Sequence, residues 1–475
     1  MNNRKLISLI IVWTTVFAIS LIIVWTTVFA IIYCNSLVLE DVYIYNLWAD
    51  ISSLAIVLIM LVQYRGKGCF EPIYFITAIY AVMFFVTPIY DILTGEFDWY
   101  GYYLFEYGIK TTFMALAGYF SFYVLYVQSF TFGHKKSCTA KEKRRVIANN
   151  YTVPAILMMY VVCFAANAYY LLHSGYGSLS YILSLGLLDN SSGSYTTYSN
   201  IGFISMLSYS LPAVVLLYWE FGNSKFLKWG LFIPMLMMQV ARGFRFFVIQ
   251  IFITFVCYYL IRKNKKVRIV HLIGILSVMM IFVLLMTTFR VAIRSGAGID
   301  TGIIDGETIK DSFDSAFWDN LRIYKNVYGM VPVIPSQYDY VWGRQIVIGT
   351  IVMIIPRALW PGKISSYGGE GLTTLIGPNI ASGQAYPALG EYYYAAGFLG
   401  ILFFMGLYGH WAKGLKNKYM NNVNSLDLIY FSVLLGCNLQ LIIRGYFPSN
   451  FWYLVFAIIP IWLVRKFFVK EVVSE

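Results

Sequence analysis

An all-α, polytopic membrane protein is the fold class that this 475-residue sequence predicts, and three observations predict it. The composition is 59% hydrophobic and only 12% charged, with a mean hydropathy of +0.67, whereas a soluble protein of this size needs far more charge to cover its surface. The apolar residues fall in blocks of roughly 18 to 28, the length of a membrane-crossing helix. The basic residues cluster between the blocks, in seven short segments that hold 23 of the 35 Lys and Arg. These are Arg4 and Lys5; Arg65 and Lys67; HKKSCTAKEKRR at 134–145; Lys225 and Lys228; RKNKKVR at 262–268; Lys413, Lys416 and Lys418; and Arg465, Lys466 and Lys470. That is the positive-inside pattern of cytoplasmic loops. It accounts for most of the net charge of +12 and leaves no reason to invoke nucleic acid.

With the basic segments cytoplasmic, twelve spans fit: 6–33, 43–63, 70–90, 107–128, 151–173, 201–219, 226–241, 244–261, 269–289, 391–412, 426–443 and 451–464. Both termini are then cytoplasmic, and 1–475 reads as a single integral membrane domain. The first span lacks a small-x-small cleavage site and is read as a retained helix. It contains a tandem repeat, SLIIVWTTVFAI at 8–19 and again at 20–31. Two copies reach about 42 Å and need tilt or protrusion, and the repeat carries no chemistry of its own.

The tract from Trp229 to Ile261 holds Arg242 and Arg245 among apolar residues. As one helix it would reach about 50 Å, against about 30 Å of hydrocarbon. Basic segments on both sides also require an even number of crossings. Two short helices meeting at Ala241-Arg242-Gly243 satisfy length and parity together, and put both arginines at the outer tip of a hairpin.

The outer side carries a Gly-, Ser- and Tyr-rich loop at 174–200 and a long segment at 290–390. Within the latter, Ile309, Phe313, Phe317, Leu321, Tyr324 and Tyr328 recur at helical spacing, which predicts an amphipathic helix lying on the membrane or capping the bundle. Its acids (Glu307, Asp311, Asp314) come first and its bases (Arg322, Lys325) last, as the helix dipole favours. The competing reading of the acids is a DxE-like metal site at Asp305 and Glu307, which would need a further ligand. The stretch 346–355 is too short to span and reads as re-entrant or interfacial, stopped by the prolines that follow. Six cysteines without a CxxC and four scattered histidines argue against a disulfide framework or a zinc site, so no metal and no cofactor are expected.

The twelve Lys and Arg outside the basic segments differ in kind from the rest. Eight are Arg (242, 245, 290, 294, 322, 344, 357, 444) and four Lys (110, 310, 325, 363), whereas the basic segments hold seven Arg and sixteen Lys. Positive-inside sorting disfavours bases on the outer side, so it does not explain this excess. Arginine presents a fixed fork of donors matched to phosphate or carboxylate and tolerates desolvation better than lysine. Arg322 and Arg344 read as solvated or paired with Asp. Any one of the others is explained by snorkelling to head groups. As a set, with Arg242/Arg245 and Arg290/Arg294 closely spaced, they point to an anion site. Glu391, at the start of an apolar helix, reads either as a cap or as a general base. Asp50 is the most deeply placed acid and reads as paired to a neighbouring helix.

Three stretches carry a resemblance to a known family. ARGFR at 241–245 looks like a small-Arg-Gly turn, IPRALWPGK at 355–363 like Pro-Arg-x-x-Trp-Pro-x-Lys, and GEYYYAAGFLG at 390–400 like Gly-Glu-x-Tyr-x-x-x-Gly-x-x-Gly. With its topology, the chain resembles the O-antigen (Wzy-type) repeat-unit polymerases of bacterial envelopes. It departs from their pattern at Ala241, where Ser is common, and at Ala395-Ala396, where Asn-Phe is usual. The resemblance implies a GT-C-like membrane glycosyltransferase of the cytoplasmic membrane, using no nucleotide sugar and no essential metal. It would join undecaprenyl-pyrophosphate-linked oligosaccharides within the membrane lipid, with a chain-length regulator as a possible partner. It implies Glu391, Arg242 and Arg290 as catalytic residues, Arg245, Arg294, Arg357, Lys363 and Arg444 on the pyrophosphate, and Trp318, Trp342, Trp360 and Tyr386 stacking on sugars. The rival readings are an O-antigen ligase, disfavoured because 290–390 contains no His, and a flippase, disfavoured because polarity is concentrated in one loop and not in paired helices.

Overall fold

The computed structural model describes residues 42–64, 66, 68, 70–128, 144–173, 204, 206–241, 245–263, 274, 281, 318–355, 360, 385–421 and 424–473. Helices occupy ten of the twelve expected positions; of the other two, 6–33 lies outside the described residues, as does 269–289 apart from Gly274 and Ile281, both helical. Helix α1 is Val42–Gln63. Helices α2 (Pro72–Ala81) and α3 (Thr87–Thr94) are one apolar rod interrupted by a π turn at Val82–Val86. Pro88 causes the interruption: it donates no N–H and its ring crowds the preceding turn. The hydroxyl of Thr87 donates to the Val82 carbonyl at 2.8 Å there. A short hairpin, β1 (Asp98–Trp99) and β2 (Tyr102–Tyr103), leads into α4 (Gly108–Val127). Strand β3 (Arg144–Ala148) precedes α5 (Thr152–His173).

Helix α6 (Leu211–Phe221) is followed by α7 (Lys225–Ala241) and α8 (Arg245–Arg262), which pack on one another. The tract around Arg242 is thus two short helices, as length and parity require, while Arg242–Phe244 lie outside the described residues. A turn at Trp318–Tyr324 runs into α9 (Lys325–Val333). Then come α10 (Arg344–Met353), α11 (Ala388–Asn421), α12 (Ser425–Ile443) and α13 (Phe447–Leu463). Strand β4 (Val469–Val473) pairs antiparallel with β3. Among the described residues, six helices are long and apolar enough to cross a membrane, and the stretch at 346–355 forms only the ten-residue α10.

Two apolar cores share the α11–α12 contact. The first joins α1 to α4, α9 and α11; the second joins α5 to α8 with α12 and α13. Helices α4 and α11 approach closely because small residues face each other: a Cβ at Gly409 would collide with the Phe122 backbone, and Ser121 Oγ donates to the Leu402 carbonyl at 2.6 Å. Small faces let helices pack where hydrophobicity gives no drive between them. In α13, Pro460 strips the Phe456 carbonyl of its ladder partner, and Ser210 Oγ supplies the bond at 2.7 Å.

The basic residues that are described meet at one end of the bundle. Lys416 pairs with Glu71 at 3.6 Å, Arg262 with Glu220 at 2.9 Å, Arg465 with Asp427 at 2.7 Å, and β3 with β4. Asp91, Glu391, Arg444 and Phe447 sit at the other ends of the same helices.

The expected amphipathic helix, lying on the membrane or capping the bundle, is described only from Trp318 onward, and there its polar side is buried as well. From Trp318 onward the chain turns through a 3-10 step and inserts, so that Lys325 and Asn326 are as buried as Tyr324 and Tyr328. Its two bases serve a buried partner from another helix. Arg322 Nε lies 2.9 Å and Lys325 Nζ 3.1 Å from the carboxylate of Asp91, to which Tyr324 also donates. Asp305, Glu307 and the rest of the expected helix lie outside the described residues.

Candidate functional site

The end opposite the basic segments is organised by a break in α11. Ala396 (φ −160°, ψ 34°) and Gly397 (φ 61°, ψ −143°) leave helical geometry. The second conformation is one that only glycine adopts without strain. The break takes the carbonyls of Tyr394 and Ala395 out of the helical ladder. They accept instead from Val341 N at 3.1 Å and Gly343 N at 3.2 Å. The 341–343 turn is thereby fixed against α11, and α10 starts beside it.

That placement brings Gln345 onto Glu391. Gln345 Nε2 donates to Glu391 Oε1 at 2.6 Å, and the Phe447 backbone N–H donates to Oε2, also at 2.6 Å. Both side chains are about 1% exposed. Glu391 therefore does not cap its own helix, as one reading of the sequence had it. It ties the starts of α10 and α13 to α11.

Arg444 closes the neighbouring turn between α12 and α13. Its carbonyl accepts from Asn450 Nδ2 at 2.7 Å, and the adjacent Gly445 N–H donates to the Tyr386 carbonyl at 2.5 Å. Burial pushes the Arg444 guanidinium down to about 10, which leaves it charged at neutral pH. Tyr386 is itself tethered from the other side, because Asn326 Nδ2 donates to the Ala385 carbonyl at 2.7 Å while Asn326 Oδ1 accepts from Trp99 Nε1 at 2.8 Å. The inserted 318–333 segment and the 98–103 hairpin are thus linked to the turn that carries Arg444.

Of the residues singled out in the sequence, Glu391, Arg444 and Tyr386 are brought together. Tyr386 is buried, with its ring against Gly445. Trp318 stacks one face on Tyr90, centroids 4.0 Å apart. Trp342 is 76% and Trp360 43% exposed. Arg242, Arg290, Arg294, Arg357 and Lys363 lie outside the described residues, as does the side chain of Arg245, whose backbone begins α8. Asp50 is buried in α1 and accepts from Thr112 Oγ1 of α4 at 2.6 Å, the neighbouring-helix contact its depth suggested. Among the described residues no cluster of His, Cys, Asp and Glu is arranged to hold a metal. Sequence reasoning does not single out Gln345, Asn326, Asn450 or Asp91. Amides and an acid at the ends of apolar helices were the available signal, since such groups must find partners.

Fold and site together define a multi-pass helical membrane protein with a buried carboxylate and a buried arginine at the end away from its basic loops. The profile of the family described as O-antigen polysaccharide polymerase Wzy matches residues 10–472. The chain belongs to that family, and it is a multi-pass bacterial membrane protein. It is similar to the O-antigen polymerase of Salmonella typhimurium strain LT2, with 23% identity over 258 residues covering 53% of this chain and 58% of that protein. The O-antigen polymerase of Salmonella typhi matches with the same identity and coverage. The chain thus spans 58% of the length of these curated relatives. No solved structure matches.

Proposed function

We propose that the protein polymerises lipid-linked oligosaccharide repeat units into O-antigen or capsule-type polysaccharide at the outer face of the bacterial cytoplasmic membrane. The observation that carries this reading is the family match along residues 10–472. The donor is a growing glycan on undecaprenyl pyrophosphate, and the acceptor is a single lipid-linked unit. The acceptor hydroxyl oxygen bonds to the anomeric carbon, the bond from that carbon to the pyrophosphate oxygen breaks, and the hydroxyl proton passes to a carboxylate. Undecaprenyl pyrophosphate leaves. A chain-length regulator is the protein partner this reading calls for, and both termini are cytoplasmic.

Charge accumulates on the departing pyrophosphate, so fixed cations facing it lower the barrier most. Arg242 and Arg290 take that role, with Arg245, Arg294, Arg357, Lys363 and the buried Arg444 holding the phosphates. Each charge-assisted contact contributes about 1.5 to 3 kcal/mol, or about ten- to a hundredfold in rate where it is made in the transition state. Glu391 has two separable roles in this scheme. As proton acceptor it has to release Gln345; as the clamp between α10, α11 and α13 it has to keep it. Exposed aromatics, Trp342 and Trp360 among them, stack on sugars, with Trp318 and Tyr386 behind them.

The test is polymerisation of a defined lipid-linked repeat unit by the purified protein. Ala substitution at Arg242, Arg290, Arg357 or Arg444 is expected to lower the rate about ten- to a hundredfold. Polymer of normal length and amount from all four variants, at unchanged protein level, would sink the proposal.

A further inference from the structure

Among the described residues, the non-glycine positions with left-handed backbone are Tyr100 (φ 53°), Trp342 (φ 49°) and Tyr446 (φ 67°). All are aromatic, and all lie at the end of the bundle that carries Glu391. Such backbone favours Gly and Asn and strains a bulky residue. It persists only where the surroundings over-determine it.

Two of the three are over-determined by the same side chain. Trp342 stands three residues before Gln345 and Tyr446 one residue before Phe447, and Gln345 and Phe447 both donate to Glu391. The Trp342 turn is braced further by the bonds from Val341 and Gly343 to the broken turn of α11. The strain at Trp342 is little repaid by core packing, since the residue is 76% exposed and its ring meets Tyr340 edge-on at 6.1 Å between centroids. A ring that only anchors in the lipid interface needs exposure, but gains nothing from a left-handed backbone. The feature that does need it is a fixed direction for a flat aromatic face.

The geometry points to Trp342 and Tyr446 as a saccharide clamp, two aromatic faces set by Glu391 to stack on pyranose rings beside Arg444. This rests on the reading that the substrates are lipid-linked oligosaccharides, and it adds Tyr446 and the means by which both rings are oriented. An aromatic ring offers a large, rigid, apolar face at low entropic cost, which suits the C–H face of a sugar.

The probe is an oligosaccharide of one repeat unit, released by partial hydrolysis of the host's own polysaccharide and free of lipid and pyrophosphate. Its affinity for the purified full-length protein is read by titration calorimetry, and thermal midpoints are measured alongside. Trp342→Gly and Tyr446→Gly each remove a ring and relax a strained turn. They are expected to weaken binding by about tenfold with an unchanged or raised midpoint. Trp342→Phe should retain affinity, and Tyr446→Asn, which tolerates the backbone, serves as a second ring-deleting variant. Unchanged affinity in the ring-deleting variants, or no binding by the wild-type protein, would overturn the clamp. If the variants lose affinity while the wild type makes no polymer from lipid-linked units, the clamp stands and the polymerase reading falls. If the wild type polymerises and the variants bind normally, only the clamp falls.

Discussion

Asp91 accepts from Arg322 and Tyr324, pairs with Lys325, and has no exposed side-chain surface. A carboxylate so placed is held by the cations it neutralises. Replacing it by Ala strands two buried positive charges, at an expected cost of about 3 to 5 kcal/mol, to be read as a lowered unfolding midpoint in detergent. Lys325 adds a pH dependence with a definite sign. Burial, partly offset by Asp91, pulls its ammonium below the ordinary lysine value of 10.5. Between the lowered value and 10.5 the unfolded chain holds the proton more tightly, so the contribution of Lys325 to stability rises with pH. In paired pH titrations of unfolding, wild type minus Lys325→Met should show that rise below 10.5. A flat difference would mean that Lys325 keeps its proton through the window.

At the scale of elements, three helices meet on one carboxylate, and the break in α11 decides that they do. Gly397→Ala forces a residue with a side chain into glycine-only backbone and brings its Cβ to 2.8 Å from the Tyr340 hydroxyl. The expected cost is about 1 to 3 kcal/mol, visible as a lower thermal midpoint, with loss of polymer as the 341–345 turn detaches. The two roles of Glu391 separate by exchanging partners. Glu391→Gln alone trades two charge-assisted bonds for neutral ones, with the Gln345 amide turned over to accept, and should destabilise by about 1 kcal/mol. Adding Gln345→Glu restores a carboxylate and an amide to the same pair. Recovery of both stability and polymerisation in the double variant identifies Glu391 as a clamp. Recovery of stability alone identifies it as the proton acceptor, because the base has then moved to α10.

For the whole molecule, the described basic residues converge at one end, so cysteines introduced at Lys263 and Lys418 should share one labelling side of the membrane. Cysteines at Tyr103 and Trp342, both exposed at the other end, should label from the opposite side with an impermeant reagent. A common side for all four would overturn the assigned topology. The places of ten helices were legible in the sequence because lipid imposes a length and an apolar composition on each crossing, and because charge sorts between loops. The split of the tract around Arg242 into two helices followed from length and parity alone. Family membership was legible in the topology together with three short motifs. Partnership was not legible. Arg322 read as solvated or paired with an Asp, and it is paired, but nothing local names Asp91, 231 residues away, as the partner it shares with Lys325. Glu391 read as a cap or as a general base, and neither reading names its partners Gln345 and Phe447, which come from other helices. Burial in hydrocarbon and the positive-inside bias act on each segment separately, and so can be read along the chain. A hydrogen bond between distant segments depends on how helices cross, and here that was decided by the break at Gly397 and the close approach of α4 to α11.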